Sequence, residues 1–255
     1  LSRLDNRLPY IACQGNHDLG HIAAEYRYSM MPDYIYPERN IQFEKTLVST
    51  GTNYEGIHTM ENAAFEFENE TWGKLLVIAF EFAPRDEALV WARQLIESDR
   101  FKNHTVIILT HSFLLNNGER IVNEGYKLTP RNWAQAVWDK LVYPSKNIKL
   151  VLCGHTGTPP QMNDSERVDY HTTTACRVDP AADGHKVVQM MFNSQSGDGS
   201  WNGNGGDCWL RILEFKPDGK TIGIRTFSPL FALSRRTQHM AWRTDAYDQF
   251  SITIE

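Results

Sequence analysis

The sequence predicts an α/β fold in which parallel strands are followed by a β-rich tail, and three observations carry that prediction. Two apolar runs of strand length, Thr105-Val106-Ile107-Ile108-Leu109-Thr110 and Ile148-Lys149-Leu150-Val151-Leu152-Cys153, each end abruptly in polar residues, His111-Ser112 and Gly154-His155-Thr156. Helical spacing of apolar residues precedes each run, giving two strand–helix–strand units of the kind that imply parallel pairing beneath helices. Short β-rich runs separated by turn residues then fill residues 161–255.

The elements follow in order. Residues 1–9 are a polar approach to the apolar run Tyr10-Ile11-Ala12-Cys13, which reads as a strand leading through Gln14 into Gly15-Asn16-His17-Asp18. Residues 19–28 read as a short helix carrying His21, a surface residue or one that supports a site without joining it, and residues 32–54 as an extended connection over the surface. Ala63-Ala64-Phe65-Glu66-Phe67-Glu68 alternates as a strand with one wet face. A turn at 69–73 joins it to a second strand at 74–82, making a hairpin. A helix over 86–98 has acids in its first turn and Ala88, Trp91, Ala92, Leu95 and Ile96 on one face. Beyond His111 comes a loop that turns at Asn116-Asn117-Gly118. A second helix follows, with Thr129 as N-cap, Pro130 in its first position and Trp133, Val137, Trp138 and Leu141 at helical spacing, so the tryptophans read as core.

In the tail, runs at 187–192, 209–215 and 221–227 predict a meander closed by Phe250-Ser251-Ile252-Thr253-Ile254. The glycine-rich stretch 196–207, with Trp201 and Asp207, has two readings: a flap over a site, or a long hairpin loop.

The chemistry gathers at the strand ends. Asparagine offers a neutral oxygen to a hard ion, histidine ligates or moves a proton, and aspartate orients either. Taken alone, Gly15-Asn16-His17-Asp18 is equally a turn. In open α/β sheets, however, ligands bind beyond the carboxyl ends of the strands, so Asn16, His17, His111 and His155 point to one site.

Gly15-Asn16-His17-Asp18, a lone histidine after a strand and Gly154-His155 after another, in that order, resemble the calcineurin-like metallophosphoesterases. The resemblance implies a two-sheet α/β sandwich as a single domain over 1–255, with an α/β part at 1–160 and a β-rich part at 161–255. It implies hydrolysis of a phosphate monoester or diester at a centre of two divalent ions, such as Mn, Fe or Zn. Asn16, His111 and His155 would ligate one ion, His17 would donate the proton, and Asp18 would support it without ligating. Two departures stand out. The family's Asp-x-His and Gly-Asp-x-x-Asp motifs, which supply the other metal's ligands, lie upstream of this tetrapeptide and do not occur in residues 1–14. The sequence is therefore read as N-terminally incomplete, a fragment whose activity alone is doubtful. The family's closing Gly-His-x-His is Gly154-His155-Thr156-Gly157 here, with no ligand in its last position. A catalytically degenerate relative that only binds is the alternative. A glycan-binding module built on the seven tryptophans is a third reading, disfavoured by their helical register.

Composition sets outer bounds. A formal charge of −5 argues against a nucleic-acid partner, and no apolar run approaches the ~18 residues of a membrane span. Cys13, Cys153, Cys176 and Cys208 show no metal-binding or redox spacing, and the first two read as buried apolar residues. Asn69, Asn103 and Asn163 begin glycosylation-type triplets.

Overall fold

The computed structural model describes residues 1–157, 173–194 and 206–254. Its main sheet has seven strands: β1 Leu47–Thr52, β2 His58–Asn69, β3 Gly73–Ala79, β4 Thr105–Leu109, β5 Ile148–Cys153, β6 Thr174–Pro180 and β7 Lys186–Phe192. Their spatial order is β1-β2-β3-β4-β5-β7-β6. The inner pairs β3/β4, β4/β5 and β5/β7 are parallel, and the outer pairs are antiparallel. The second sheet is antiparallel, with β9 Thr221–Phe227 between β8 Leu210–Phe215 on one side and β10 Trp242–Arg243 and β11 Phe250–Thr253 on the other.

Alternation along the strands builds the layers, because successive side chains leave opposite faces. Val106 and Ile108 of β4, Val151 of β5 and Met191 of β7 face a core closed by helices α3 (Asp86–Glu97) and α4 (Ala134–Val137), the latter continued as one wide turn through Trp138–Val142. Ile107, Leu150, Val188 and Met190 face the other way, onto Ile222, Ile224 and Ile252 of the second sheet. This is the expected two-sheet sandwich with mixed α/β elements, and the two parallel strand–helix–strand units stand as read. Trp133 and Trp138 are buried in the helix-side core.

Several expectations fail locally. Tyr10–Cys13 joins no sheet, because Tyr10, Ile11 and Ala12 are taken up by packing on the cluster of Phe43, Met60 and Phe65 instead. Residues 19–28 form no helix. Gly20 and Ala24 take left-handed backbone angles, 74° and 51°, and the Glu25 carboxylate accepts the amides of Ile22 and Ala23 that a helix would have used. The connection after Pro32 contains two single-turn helices, α1 (Met31–Tyr34) and α2 (Phe43–Thr46), and the whole of β1. The second helix begins at Ala134, not after Pro130, since the backbone before it is held elsewhere: Asn132 N donates to Pro84 O at 2.9 Å and Arg27 Nε to Pro130 O at 3.1 Å. The predicted meander is split. The run at 187–192 joins the main sheet beside β5, buried on both faces, and gains β6, whose alternation of half-polar residues hid it. Cys13 and Cys153 are partly rather than fully buried at the residue level, and burial raises both thiols to about 12. Most of the glycine-rich stretch, with Trp201, lies outside the described residues, as does Asn163.

Polar burial fixes the N-terminal segment where a strand ladder does not. Arg27 donates to Phe82 O (2.9 Å), Ala83 O (2.6 Å) and Pro130 O, with Glu81 at 3.8 Å, while Gln14 bridges Glu61 (2.7 Å) and the Phe82 amide (3.1 Å). Replacing Arg27 with Met strands the buried carbonyls of Phe82 and Ala83, while Glu81 keeps Arg85 at 2.9 Å, and should lower stability by ~2–3 kcal/mol. Arg27→Lys should recover only a small part, since a point ammonium cannot span three acceptors. Urea denaturation midpoints measure both; an unchanged midpoint for Arg27→Met would show that water serves those carbonyls equally well.

Candidate functional site

Three segments meet above the carboxyl ends of β4 and β5. The pairing of these strands continues past their last residues, with Thr110 N donating to Leu152 O (3.0 Å) and Gly154 N to His111 O (2.9 Å), so His111 and His155 leave the sheet side by side. Gly15–Asp18 closes over them. The Asp18 carboxylate accepts the Gly15 amide at 2.7 Å across a single 3-10 turn, Asn16–Asp18. Gly15 lies close under the His111 ring: a Cβ there would stand 3.1–3.3 Å from three of its atoms, so any larger residue would press that imidazole aside by a few tenths of an ångström.

The result is a chain of polar contacts. Asn16 Oδ1 is 2.9 Å from His111 Nε2, which is 3.0 Å from His155 Nδ1, while His155 Nε2 lies 3.0 Å from Glu124 Oε1. A carboxylate only accepts, so His155 Nε2 carries its hydrogen and Nδ1 presents a lone pair toward His111. Glu124 is itself held by Ser112 Oγ at 3.0 Å. Phe82, fully buried, packs its ring on both imidazoles and on Tyr126. His155 adopts a left-handed backbone angle of 64°, unusual for a residue with a Cβ; the Asn193 side chain donates to its carbonyl at 2.9 Å.

Of the five expected site residues, the structure brings Asn16, His111 and His155 into direct contact. His17 stands beside them, exposed, with Nδ1 2.8 Å from Ile22 O; a carbonyl only accepts, so Nδ1 is protonated and Nε2 is the atom open to exchange. Asp18 turns back on Gly15 and closes the loop. Glu124 went unread, for it sits in a loop without periodicity; the cue available was that a metal-binding histidine is commonly oriented by a carboxylate.

Among the described residues no three His, Cys, Asp or Glu side chains cluster as a metal site. With asparagine counted, Asn16 Oδ1, His111 Nε2 and His155 Nδ1 form a neutral three-donor corner. The contacts at 2.9 and 3.0 Å bring oxygen and nitrogen donors of the kind a borderline divalent ion accepts to one rim. The donor set thus fits one divalent ion.

The chain is a two-sheet α/β sandwich with a histidine-bearing rim at its parallel strand ends, and similarity to known proteins says which family it belongs to. The calcineurin-like phosphoesterase family matches residues 1–159, a span holding every residue of the polar chain. The protein belongs to that family, whose members are phosphoesterases that generally use divalent metals, and membership suggests a hydrolase. It is also similar to the uncharacterized protein YvnB of Bacillus subtilis (strain 168), 23% identical over 254 residues, covering 97% of this chain and 16% of that protein. The chain spans about one sixth of that relative's length. No helix among the described residues is long and apolar enough to cross a membrane.

Burial, and then the neighbouring His155 and His17, push the His111 imidazole down to about 4. In metal-stripped protein its folded value therefore lies below the unfolded ~6.5, so the stability it contributes is present above about pH 6.5 and is lost as pH falls toward 4, by at most ~3 kcal/mol. Urea midpoints at pH 7.5 and pH 4, taken under chelation, should converge between wild type and His111→Gln at the lower pH.

Proposed function

We propose that this domain is a metal-dependent hydrolase of phosphate esters, in which Asn16, His111 and His155 hold one divalent ion and His17 gives the leaving oxygen its proton. The observation that carries the proposal is that His111 Nε2 stands 2.9 Å from Asn16 Oδ1 and 3.0 Å from His155 Nδ1, in a family of phosphoesterases. A divalent ion there supplies Lewis-acid polarisation of the phosphoryl oxygens; oxygen and nitrogen donors suit Mn, Fe or Zn alike.

The chain's own residues do the rest. Glu124, 3.0 Å from Nε2, selects the His155 tautomer whose Nδ1 lone pair would be free to hold the ion. His17, held at Nδ1 by Ile22 O, turns Nε2 outward as a general acid, and Asp18 keeps the loop that presents it closed. In the overall step a water oxygen bonds to phosphorus, the bond from phosphorus to the ester oxygen breaks, the His17 proton passes to the departing alcohol, and the proton given up by the water restores His17, so that ester and water become alcohol and phosphate.

A second reading, a metal-poor binding protein, is favoured by one feature: all three donors are neutral, and Gly157 adds none. Metal content decides between them. The full-length protein should retain at least one ion per chain after dialysis, and hydrolysis should be abolished by chelator; retention of none with no turnover would leave the binding reading.

Replacing His17 with Asn should slow an alkyl phosphate by ~10²–10⁴-fold and an activated aryl phosphate much less, because a stable leaving group does not need the proton. His155→Asn should slow both together and deplete metal. Equal slowing of both substrates by His17→Asn, with metal intact, would remove His17 from the acid role. Glu124→Gln keeps the side chain's size but weakens the carboxylate hold on His155, and calorimetric titration should show metal affinity reduced by ~10–100-fold.

A further inference from the structure

We propose that the cleft opening beside His17 receives the leaving alcohol of the substrate and that this alcohol is a nucleoside. The proposal rests on the reading of His17 as the acid, since the group that accepts its proton must stand on its open side. A cleft of about 350 Å³ begins at His17 and Asp18 and runs across Gly20 and His21 to the tyrosines Tyr26, Tyr28 and Tyr34. That volume accommodates one ring-bearing group of nucleoside size.

The walls select for a flat, uncharged occupant. Tyr28 and Tyr34 are 58% and 57% exposed, and Met30 beside them 52%, an unusual outlay of apolar surface for residues flanking a polar loop. Tyr26 is held edge-on against His21, with ring centroids 5.6 Å apart, and Met31 is buried at the base. Aromatic faces and a methionine suit stacking with a nucleobase, while the tyrosine hydroxyls and His21 offer partners to ribose hydroxyls. Among the described residues no lysine or arginine lines the cleft, and Asp18 stands at its head, so a leaving group with a second phosphate or a carboxylate would meet repulsion from that carboxylate. Polyol leaving groups such as glycerol have no ring with which to use the tyrosines.

The test separates the cleft from the metal site by measuring binding without turnover. Adenosine is titrated into the full-length protein under chelation by calorimetry, with glycerol as competitor. Saturable binding that glycerol does not displace is expected, weakened ~5-fold or more by Tyr28→Ala and by Tyr34→Ala, as loss of a base-stacking ring requires. Tyr143→Ala, on a distant exposed tyrosine, should leave it unchanged, and circular dichroism checks that each variant folds. With metal restored, kcat/KM for adenosine 5′-monophosphate relative to glycerol 3-phosphate should fall in both cleft variants. No adenosine binding, or equal displacement by glycerol, overturns the nucleoside assignment, even if chelator-sensitive hydrolysis of glycerol 3-phosphate upholds the hydrolase. Adenosine binding lost equally in Tyr143→Ala would also overturn it. Tyrosine-dependent adenosine binding with no hydrolysis of either ester would retain the cleft and remove the hydrolase.

Discussion

The parallel register of β4 against β5 is the constraint on which the site depends. Leu109 pairs with Leu152, and the ladder runs on through His111 and Gly154, so two imidazoles emerge from adjacent strands at one height. That register is fixed from both faces. Val106 and Ile108 must meet the helices while Ile107 meets the second sheet, and a slip of one residue would turn every one of them the wrong way. The contact between His111 and His155 is thus set by the packing of three layers, well away from the polar chain itself.

The three-layer arrangement was legible because apolar runs and helical spacing are written locally. Strands β3, β4 and β5 and helix α3 fall where the sequence puts them, to within a few residues. The juxtaposition of His111 and His155 was legible for a related reason: each follows a run that ends abruptly, and strand ends of a parallel sheet share one rim; Asn16 reaches that rim from a segment that joins no sheet, so its place there does not follow from strand ends. What stayed hidden depends on contacts between distant segments. Tyr10–Cys13 has the composition of a strand but spends its apolar side chains on Phe43, Met60 and Phe65, β6 lacks an apolar signature, and the segment at 19–28 is shaped by Glu25 taking backbone amides. Glu124 is hidden in the same way, since only the fold brings a loop carboxylate to the far nitrogen of His155.

The electrostatics divide the region in two. Charged groups lie behind the loop, where Arg27, Arg85, Glu81 and Glu61 are buried with carbonyls and amides as partners. At the rim stand the neutral Asn16 and an imidazole, His111, that burial keeps uncharged at ordinary pH, with the carboxylates of Glu124 and Asp18 occupied by His155 and the Gly15 amide. The buried charges of Arg27, Arg85, Glu81 and Glu61 thus hold the loop from within, and the carboxylates at the rim serve to orient its neighbours.

The left-handed backbone at His155 sets stability and function against each other. Glycine occupies that conformation without penalty, whereas a residue with a Cβ gives up ~1 kcal/mol or more to hold it. Selection acting on thermal resistance alone would therefore drift toward the smaller residue and dismantle the link between Glu124 and His111. An engineer who screens this protein for heat tolerance should expect that position among the tempting substitutions, and should screen for ligand binding at the same time.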